Sequence, residues 1–402
     1  MKILRKTIFW CHLAVGVLGG IVVLIMSLTG VLLTYQRQIT SWADTRNHVV
    51  APPAEGATRL SVESLLASFR ETSADARPVS LTVQSAATAP AAIAVTGGRT
   101  YYVNPYTGAV LGEGSKAVRD FFRFVIDWHR WLGANGEHRP VARAVTGACN
   151  LGFLFLVISG FYLWWPRKWT ITQLRSVPWF KRGLPGKARD FNWHNVIGFW
   201  SAVPLFIVVL SAVVISYPWA SNLVYRLVGE APPAARGGGP PQGGGGPNAK
   251  LPAAPVSFDG IDRLWVRAEQ QVSGWQSISL RIPTDPEAPM VFTIDNGDGG
   301  QPQKRATLTL ERASGNVVRW EPFTSFSAGR RLRSILRFAH TGEVLGIPGQ
   351  TIAGIASAGG VMLVWTGLAL AFRRLRGWLA RRSGKQARAE VANLAPHAAA
   401  AD

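Results

Sequence analysis

Cysteine, methionine and acidic residues are all scarce in this chain of 402 residues. The two cysteines, Cys11 and Cys149, fall within or beside apolar runs, so the chain has no disulfide framework and no C-x-x-C pair. With only four methionines, it also offers few of the sulfur ligands that a copper centre prefers. The tract GGGGPNAK has no Gly-Lys-Ser/Thr ending and follows no predicted strand, which excludes a phosphate-binding loop of the usual kind.

Negative charge is scarce as well, because 23 acidic residues stand against 43 basic ones and give a net charge of +20. Such an excess makes nucleic-acid binding the first class to consider. However, much of the Lys and Arg lies in three blocks, MKILRKT, PRKWTITQLRSVPWFKRGLPGKARD and RRLRGWLARRSGKQAR, and each block adjoins a long apolar run. This arrangement is typical of a protein embedded in membrane lipid and argues against a nucleic-acid partner.

Apolar sequence is abundant in four runs, at about 8–34, 141–165, 194–217 and 351–372. Each run reaches the roughly 20 residues that are needed to cross a hydrocarbon core about 30 Å thick. The first run is longer than the apolar region of a signal peptide, and no small-residue cleavage site follows it. The sequence therefore predicts four transmembrane helices, of which the first is not cleaved.

The distribution of Lys and Arg predicts how these helices are oriented. The positive-inside rule places both termini and the 166–193 loop in the cytoplasm, and residues 35–140 and 218–350 outside. In a bacterium the outside is the periplasm. We therefore expect a multi-pass protein of the bacterial inner membrane with both termini cytoplasmic.

The two outer segments resemble each other. The stretches that begin RTYYVNPYTGAVLG and ATLTLERASGNVVRW both predict a strand, a turn, a second strand and a helix that ends on a histidine. An amphipathic helix, SVESLLASFRE or FDGIDRLWVRAEQQ, precedes each of them. We interpret this as an internal duplication. The predicted fold class is an α-helical integral membrane protein with four transmembrane helices and two small periplasmic α+β units.

These boundaries divide the chain into nine predicted segments. The Gly/Pro-rich tract between the third span and the second unit has too few apolar side chains to offset the entropy cost of ordering, so we expect a disordered linker. In chain order the segments are transmembrane helix 1 (1–34), the first periplasmic unit with an amphipathic helix (35–140), transmembrane helix 2 (141–165), a basic cytoplasmic loop (166–193), transmembrane helix 3 (194–217), the periplasmic linker (218–255), the second periplasmic unit (256–350), transmembrane helix 4 (351–372) and a basic cytoplasmic tail (373–402).

Four of the seven histidines stand at the N-terminal ends of the spans or of the segments that lead into them. Spans 1 and 3 enter from the cytoplasm, so His12 and His194 share an inner level. Spans 2 and 4 enter from outside, so His129 and His340 share an outer level. An ionisable ring in lipid is costly and tends to mark a functional site. Two histidines per level is the number that holds an iron porphyrin from both sides.

Glycines favour the same interpretation. Gly16, Gly133 and Gly198 each stand four residues after one of these histidines, on the same face of a continuous helix, and remove the side chain that would otherwise lie beside the ring. A flat macrocycle against the helix needs that space. His340 departs from the pattern, because Val344 occupies its fourth position. The alternative is structural: small residues also serve helix packing, and a histidine near the interface can be an ordinary amphipathic residue.

The residue types narrow the choice of metal. Zinc would prefer a compact cluster with Cys or carboxylate ligands, and the acidic residues lie mostly outside the spans. Copper would prefer nearby Cys or Met. The chain has no C-x-x-C-H motif for covalent haem attachment. We therefore expect two non-covalent b-type haems with His12, His129, His194 and His340 as axial ligands of the iron.

At this level of detail the sequence resembles the PepSY-associated transmembrane proteins, which include iron-regulated inner-membrane reductases of ferric siderophores. The resemblance rests on WCHLAVG, YYVNPYTGAVLG, DWHRWLG, FNWHNVIGFW and FAHTGEVLG, and it covers nearly the whole chain apart from the linker and the tail. It implies four spans, two periplasmic PepSY-like units and, in the reductase branch, two b-type haems on the four histidines named above. The chain has no fused flavin reductase domain and no G-x-G-x-x-G motif after a strand, so its electron donor must be separate.

Two hypotheses of different classes follow. In the first, electrons from a cytoplasmic flavoprotein or from membrane quinol cross the membrane and reduce a periplasmic ferric siderophore or another ferric chelate. In the second, the protein is not an enzyme, and its PepSY-like units bind or regulate periplasmic partners such as peptidases. The second hypothesis predicts a protein without bound pigment.

Overall fold

The computed structural model describes residues 2–51, 57–165, 178–233 and 257–398. They form two compact units. The helical unit lies within Met1–Leu32, Ile126–Ser216 and Thr351–Asp402, and the sheet unit lies within Leu33–Val125 and Tyr217–Gln350. Most of the predicted disordered linker, part of the predicted basic loop and the last four residues of the predicted tail lie outside the described residues.

Helices and strands follow one another in a similar order in the two halves of the chain. The helices are α1 (Lys2–Leu33), α2 (Gln36–Thr45), α3 (Val62–Thr72), α4 (Lys116–Trp131), α5 (Arg139–Trp164), α6 (Gly186–Ser216), α7 (Pro218–Leu227), α8 (Ile261–Gln271), α9 (Ala328–Ala339) and α10 (Gly346–Ala398). The strands are β1 (Pro78–Gln84), β2 (Ala91–Val95), β3 (Thr100–Val103), β4 (Val110–Glu113), β5 (Ser277–Arg281), β6 (Met290–Asp295), β7 (Arg305–Leu310) and β8 (Val317–Pro322).

Four helices in the described ranges are long and apolar enough to cross a membrane. The candidate spans are Ile3–Leu33, Gly136–Trp164, Gly186–Ser216 and Glu343–Ser383. They confirm the four predicted spans, and the chain is a multi-pass membrane protein. The helices are longer than the apolar runs: α6 begins before residue 194, and α10 continues well past residue 372. Arg, Lys and Ala are good helix formers, so the helix continues where the apolar sequence ends.

Small residues bring these helices close together. A Cβ added to Gly152 would lie 3.1 Å from Val15, and one added to Gly360 would lie 2.9 Å from Ser27. The side chain of Asn150 is buried and donates a hydrogen bond to the carbonyl oxygen of Val209, at 3.2 Å. Close approach through small residues and bonds between helices are the usual means of packing transmembrane helices.

The sheet unit contains one antiparallel sheet with the strand order β4-β3-β2-β1-β5-β6-β7-β8. The two predicted α+β units are therefore present as halves of one sheet, joined where β1 pairs with β5. In register there, Leu81 faces Leu280 and Thr82 faces Ser279, and the Thr82 and Ser279 hydroxyls are hydrogen bonded at 2.7 Å. Pairing these two strands leaves neither of them as an exposed edge, which is the physical reason for the joint.

One face of the sheet is covered by the two predicted amphipathic helices. Period-two alternation points Leu81 and Val83 of β1 to the buried face, and Ser80 and Thr82 to the other. Phe69 of α3 contributes to the core on that buried face. The core is continuous across both halves and includes Val62, Leu65, Leu66, Ile93, Ile261, Leu264, Ile278, Leu280, Phe292 and Leu308. Each half repeats the order helix, four strands, helix, which agrees with the expected duplication.

A buried carboxylate joins three elements of the first half. Asp44 of α2 accepts hydrogen bonds from the Tyr102 hydroxyl at 3.1 Å and from the Ser115 backbone N–H at 2.7 Å, and it forms an ion pair with Arg119 of α4. His48 donates from Nδ1 to the Asp44 carbonyl oxygen, and its ring stacks on Tyr102. Burial and the Asp44 carboxylate raise the pKa of Tyr102 to about 12. His48 thus has a structural role.

The segment predicted as linker, 218–255, begins with a helix. This helix is α7, which starts on Pro218 and packs against α9. Proline at the first position of a helix loses no hydrogen bond and has a backbone angle suited to the helix. The Arg333 side chain of α9 donates to the Ser221 hydroxyl at 2.8 Å. The second half of the sheet unit therefore includes a helix that the composition of the segment concealed.

Candidate functional site

Three of the four predicted histidines lie in helices, and the fourth directly follows a helix. His12 is in α1, His194 is in α6, and His129 is in the last turn of α4. All three belong to the helical unit. His340 directly follows α9 as its C-terminal cap, and it belongs to the sheet unit. The predicted pairing of His129 with His340 stays a prediction.

His12 contacts the second of the long apolar helices. Its Nδ1 lies 2.8 Å from the Ser159 hydroxyl oxygen of α5. That hydroxyl also lies 2.6 Å from the carbonyl oxygen of Phe155, one turn earlier in its own helix. The serine thus lies between the imidazole and a backbone acceptor.

His194 makes the same arrangement with the fourth apolar helix. Its Nδ1 lies 2.9 Å from the Thr366 hydroxyl oxygen of α10, which in turn lies 2.7 Å from the carbonyl oxygen of Met362. The predicted pairing of His12 with His194 stays a prediction.

His129 repeats the arrangement at the other end of α1. Its Nδ1 lies 2.9 Å from the Thr29 hydroxyl oxygen, and that hydroxyl lies 2.6 Å from the carbonyl oxygen of Ile25. Thr29 follows His12 by seventeen residues in one continuous helix. At 1.5 Å per residue the two positions are about 25 Å apart along the helix axis. The helical unit thus has histidine sites at two well-separated levels.

The direction of these hydrogen bonds determines the form of the rings. A Ser or Thr hydroxyl has one proton and can accept through its lone pairs. In each arrangement a carbonyl oxygen, which can only accept, is present to take that proton. The hydroxyl is then left to accept from the histidine, so Nδ1 carries the hydrogen. A neutral imidazole protonated on Nδ1 has its free lone pair on Nε2, which is a form that binds a metal.

Glycines do lie beside the rings, but on the partner helices. A Cβ added to Gly160 would lie 3.4 Å from Cε1 of His12. The same distance would separate a Cβ at Gly367 from Cε1 of His194, and at Gly30 it would be 3.8 Å from Cε1 of His129. Each of these glycines directly follows the hydroxyl residue that contacts the same ring. Sequence reasoning missed these Ser/Thr-Gly dipeptides, although SLTGV, VISGF and VWTGL are visible in the apolar runs.

The predicted glycines have other surroundings. A Cβ on Gly16 would lie 3.8 Å from Leu156, and one on Gly198 would lie 3.5 Å from Leu363, so both face side chains of a neighbouring helix. For Gly133 the premise of one continuous helix is wrong. It lies beyond the end of α4 with a φ of 75°, and its N–H bonds to the Asp127 carbonyl oxygen. Gly133 therefore ends the helix, since glycine adopts this left-handed conformation without steric cost.

A neutralised carboxylate lies near the inner site. Asp190 precedes His194 by one turn of α6, is almost fully buried, and forms ion pairs with Arg189 and Arg373, each at 3.1 Å. Nearby, the Arg374 guanidinium packs over the Trp10 ring at 4.8 Å. The end of the helical unit that holds His12 and His194 is therefore rich in arginine. A cavity of about 580 Å³ at this end is lined mainly by Phe180, Leu184, Trp193, Ile197 and Met362, with Lys181 and Arg189 at its wall.

The residues present fit haem better than a bare ion. Among the described residues, no three His, Cys, Asp or Glu side chains come together as a possible metal centre. Two imidazoles supply two ligands, which suffice for an iron whose other four ligands come from a porphyrin. The hydroxyl partners add no charge to these contacts, which suits a site in lipid.

Several arginines of α4 and α9 are engaged in contacts within the protein. Arg123 pairs with Asp120, and Arg330 pairs with Glu321 at 2.7 Å. Arg130 packs over the Trp131 ring. These contacts give the arginines a structural role that needs no anionic substrate.

A family model described as the PepSY-associated TM region matches residues 9–374 of the chain. No curated protein matches the chain. The matched residues include all four predicted histidines and both units of the structure.

Proposed function

The chain belongs to the family of PepSY-associated transmembrane proteins, and we propose that it is a di-haem electron-transfer protein of the bacterial inner membrane that reduces a periplasmic ferric chelate. One observation carries the proposal. In the helical unit, Nδ1 of His12, His129 and His194 lies within hydrogen-bond distance of a Ser or Thr hydroxyl on a neighbouring helix, which is how histidine ligands of metals are commonly oriented.

Each level has a proposed ligand set. His12 and His194 would hold the inner haem, since both lie near the arginine-rich end of the helical unit. His129 would hold the outer haem, with His340 as its predicted second ligand. When bound, a b-type haem supplies one-electron chemistry, and its potential depends on the axial ligands and their hydrogen bonds. The protein's own part is to orient the imidazoles, keep them neutral and exclude water.

Charge supports the proposed orientation. Arg5, Arg189, Arg373 and Arg374 all lie at the end of the helical unit that holds His12 and His194. Membrane proteins carry an excess of Lys and Arg on their cytoplasmic side. Under this proposal both termini are cytoplasmic, and the sheet unit is periplasmic.

The proposed reaction transfers one electron to each ferric ion. A reduced flavoprotein or a membrane quinol loses the electron on the cytoplasmic side, and the ferric ion of a siderophore or similar chelate becomes ferrous on the other. Ferrous iron is a poorer match for hard oxygen ligands, so the chelate releases it more readily. The cavity beside Trp193 adjoins the helix turn that carries His194 and offers the donor an apolar place to bind.

The first experiment is spectroscopic. We expect the full-length protein, purified in detergent from haem-replete cells, to show a reducible low-spin b-type spectrum with close to two haems per chain. A colourless preparation would refute the proposal and would favour the non-enzymatic alternative, a PepSY membrane protein that binds or regulates periplasmic partners such as peptidases.

The second experiment tests direction and substrate. Proteoliposomes that hold a reductant inside should reduce external ferric citrate, and a ferrous-specific dye outside would follow the reaction. His194→Ala should abolish this transfer, whereas His48→Ala changes a histidine of the sheet unit and should retain it. Equal rates in all three preparations would show that the histidine sites do not carry the electrons.

A further inference from the structure

The contacts of the three histidines share more than a hydrogen bond. Thr29, Ser159 and Thr366 each accept from a histidine on a neighbouring helix while donating to the carbonyl four residues earlier in their own helix. Each is followed by a glycine that faces the Cε1 edge of the same ring. Three independent pairs of helix segments therefore build the same socket for an imidazole.

We propose that these three hydroxyls are positioning residues that fix the tautomer of each histidine and set the reduction potential of the haem it holds. This inference rests on the proposed function, since it requires that the histidines ligate iron. It assigns a role to residues that lie behind the ligands and would not touch the haem themselves. Two of them, Ser159 and Thr366, act on the two ligands of the inner haem, and Thr29 acts on the outer one.

The hydroxyl controls which nitrogen is free. If the hydroxyl is removed, the hydrogen on Nδ1 loses the acceptor that it contacts in a low-dielectric region, where an unsatisfied donor is costly. The ring can then reduce that cost by rotating or by changing tautomer, and either change moves the lone pair of Nε2. The hydroxyl thus holds the ring in the orientation in which Nε2 can bind.

The hydroxyl also influences the iron through the ring. A hydrogen bond accepted from Nδ1–H increases the electron density of the imidazole and makes it a stronger ligand. A stronger donor favours the ferric over the ferrous state. Removing the acceptor should therefore raise the midpoint potential. A neutral hydroxyl gives a moderate version of this effect and adds no charge within the lipid.

The glycine limits the space beside the ring. At 3.4 Å from Cε1, a methyl group at Gly160 or Gly367 would make an ordinary van der Waals contact, so alanine should be tolerated. A branched side chain there would project further and displace the ring. Gly367→Ala should therefore retain the inner haem, and Gly367→Val should lose it.

The matching position of the third span also carries a hydroxyl residue. Ser211 follows His194 by seventeen residues, as Thr29 follows His12, and it is fully buried with a hydrogen bond to the Val208 carbonyl oxygen. Here alanine follows in place of glycine. A Thr-Gly pair alone does not define the socket, however, because Thr146 and Gly147 form one in which the hydroxyl contacts backbone carbonyls, including that of Arg130.

The test compares potentials in the purified full-length protein. Thr366→Val keeps the shape of the side chain and removes the hydroxyl, and Thr366→Ser restores it. We expect the valine variant to change the ferric-to-ferrous equilibrium constant of one haem about tenfold, which is 59 mV for a one-electron couple, with a higher midpoint. The serine variant should return to the original value. Thr7→Val is the matched control, since Thr7 also bonds to the carbonyl four residues earlier in its helix and is exposed.

Two further variants keep the proposal testable if Thr366→Val does not fold. Ser159→Ala removes only one oxygen atom and should raise the potential of the same haem through His12. Thr29→Val should shift the other haem and leave the first unchanged. If both haems keep their potentials and their low-spin spectra in Thr366→Val, Ser159→Ala and Thr29→Val, the hydroxyls serve packing only and the inference is wrong. A wild-type protein without haem would instead refute the proposed function itself.

Discussion

Replacing His12 and His194 together should cost the protein no more haem than replacing either one alone. Both histidines lie in the helical unit, and under the proposed function they ligate one haem. Removal of one ligand from a bis-histidine site in lipid already releases a non-covalent haem, and the second substitution then has nothing left to remove. By contrast, the haem losses caused by His12→Ala and by His129→Ala should be additive.

The expected difference follows from distance. His129 contacts Thr29, about 25 Å along α1 from His12. Substitutions more than about 10 Å apart with no shared partner usually act independently. The haem content per chain should therefore fall from two to one in His12→Ala, in His194→Ala and in the His12/His194 double variant. It should fall to none in the His12/His129 double variant.

The assay is haem extracted per chain, read as the pyridine haemochrome and checked against the reduced-minus-oxidised spectrum. His48→Ala is the control, because this histidine bonds to a backbone carbonyl within the sheet unit and should leave two haems in place. A double His12/His194 variant that contains no haem, with single variants that each retain one, would show that these histidines ligate different haems. That result would refute the predicted pairing of His12 with His194.

Three predictions concern the sheet unit. Gly342→Ala should lower the unfolding free energy by several kcal/mol more than Gly274→Ala does. Both glycines have a φ above 70°, which costs other residues about 1–2 kcal/mol. Of these two positions, only Gly342 is one where an added Cβ would also collide with a backbone carbonyl. Thermal unfolding of both variants checks this, and equal losses would contradict it. Leu81→Ala should destabilise by about 2–5 kcal/mol and should be detected by the fluorescence of Trp265 in the other half, since both belong to one core; two separate transitions would show that the halves unfold independently. The raised pKa of Tyr102 means that the folded state holds this proton more tightly than the unfolded state does. Its contribution to stability is therefore fully present below pH 10 and should be lost as the pH rises towards 12, by about 2–3 kcal/mol. The unfolding free energy measured across this range should fall less steeply with pH in Tyr102→Phe, and an unchanged slope would rule out this cause.

Local patterns were sufficient for much of the fold. Apolar length predicted the four spans, and period-two alternation with turn residues predicted the β3–β4 and β7–β8 hairpins. The amphipathic helices α3 and α8 were expected as well. The joining of the two units into one sheet was not predicted, because the β1–β5 pairing depends on which strand edges meet in space. In the sequence, Ser80 and Thr82 do not differ from any half-exposed strand residues.

The candidate site, like the fold, was predictable from the sequence only in part. The histidines could be selected from the sequence, because an ionisable ring in an apolar run is conspicuous. Their partners could not, since Ser and Thr in a membrane helix usually bond to their own backbone, and only the packing of helices shows whether a histidine lies on the other side. The glycine after each hydroxyl residue does not identify a histidine contact either, because small residues in membrane spans commonly serve helix packing alone.

For this protein, then, the sequence by itself determined the number of spans, the order of elements in each half and the residues that carry ionisable rings into the apolar runs. These properties depend on residues near each other along the chain, where hydrophobic length and periodicity act directly. The tertiary structure alone decided that His12, His129 and His194 each have a hydroxyl partner on another helix, and that Gly133 ends a helix. Such contacts arise between residues that are far apart in the chain, and they depend on how side chains of several helices fill one shared space.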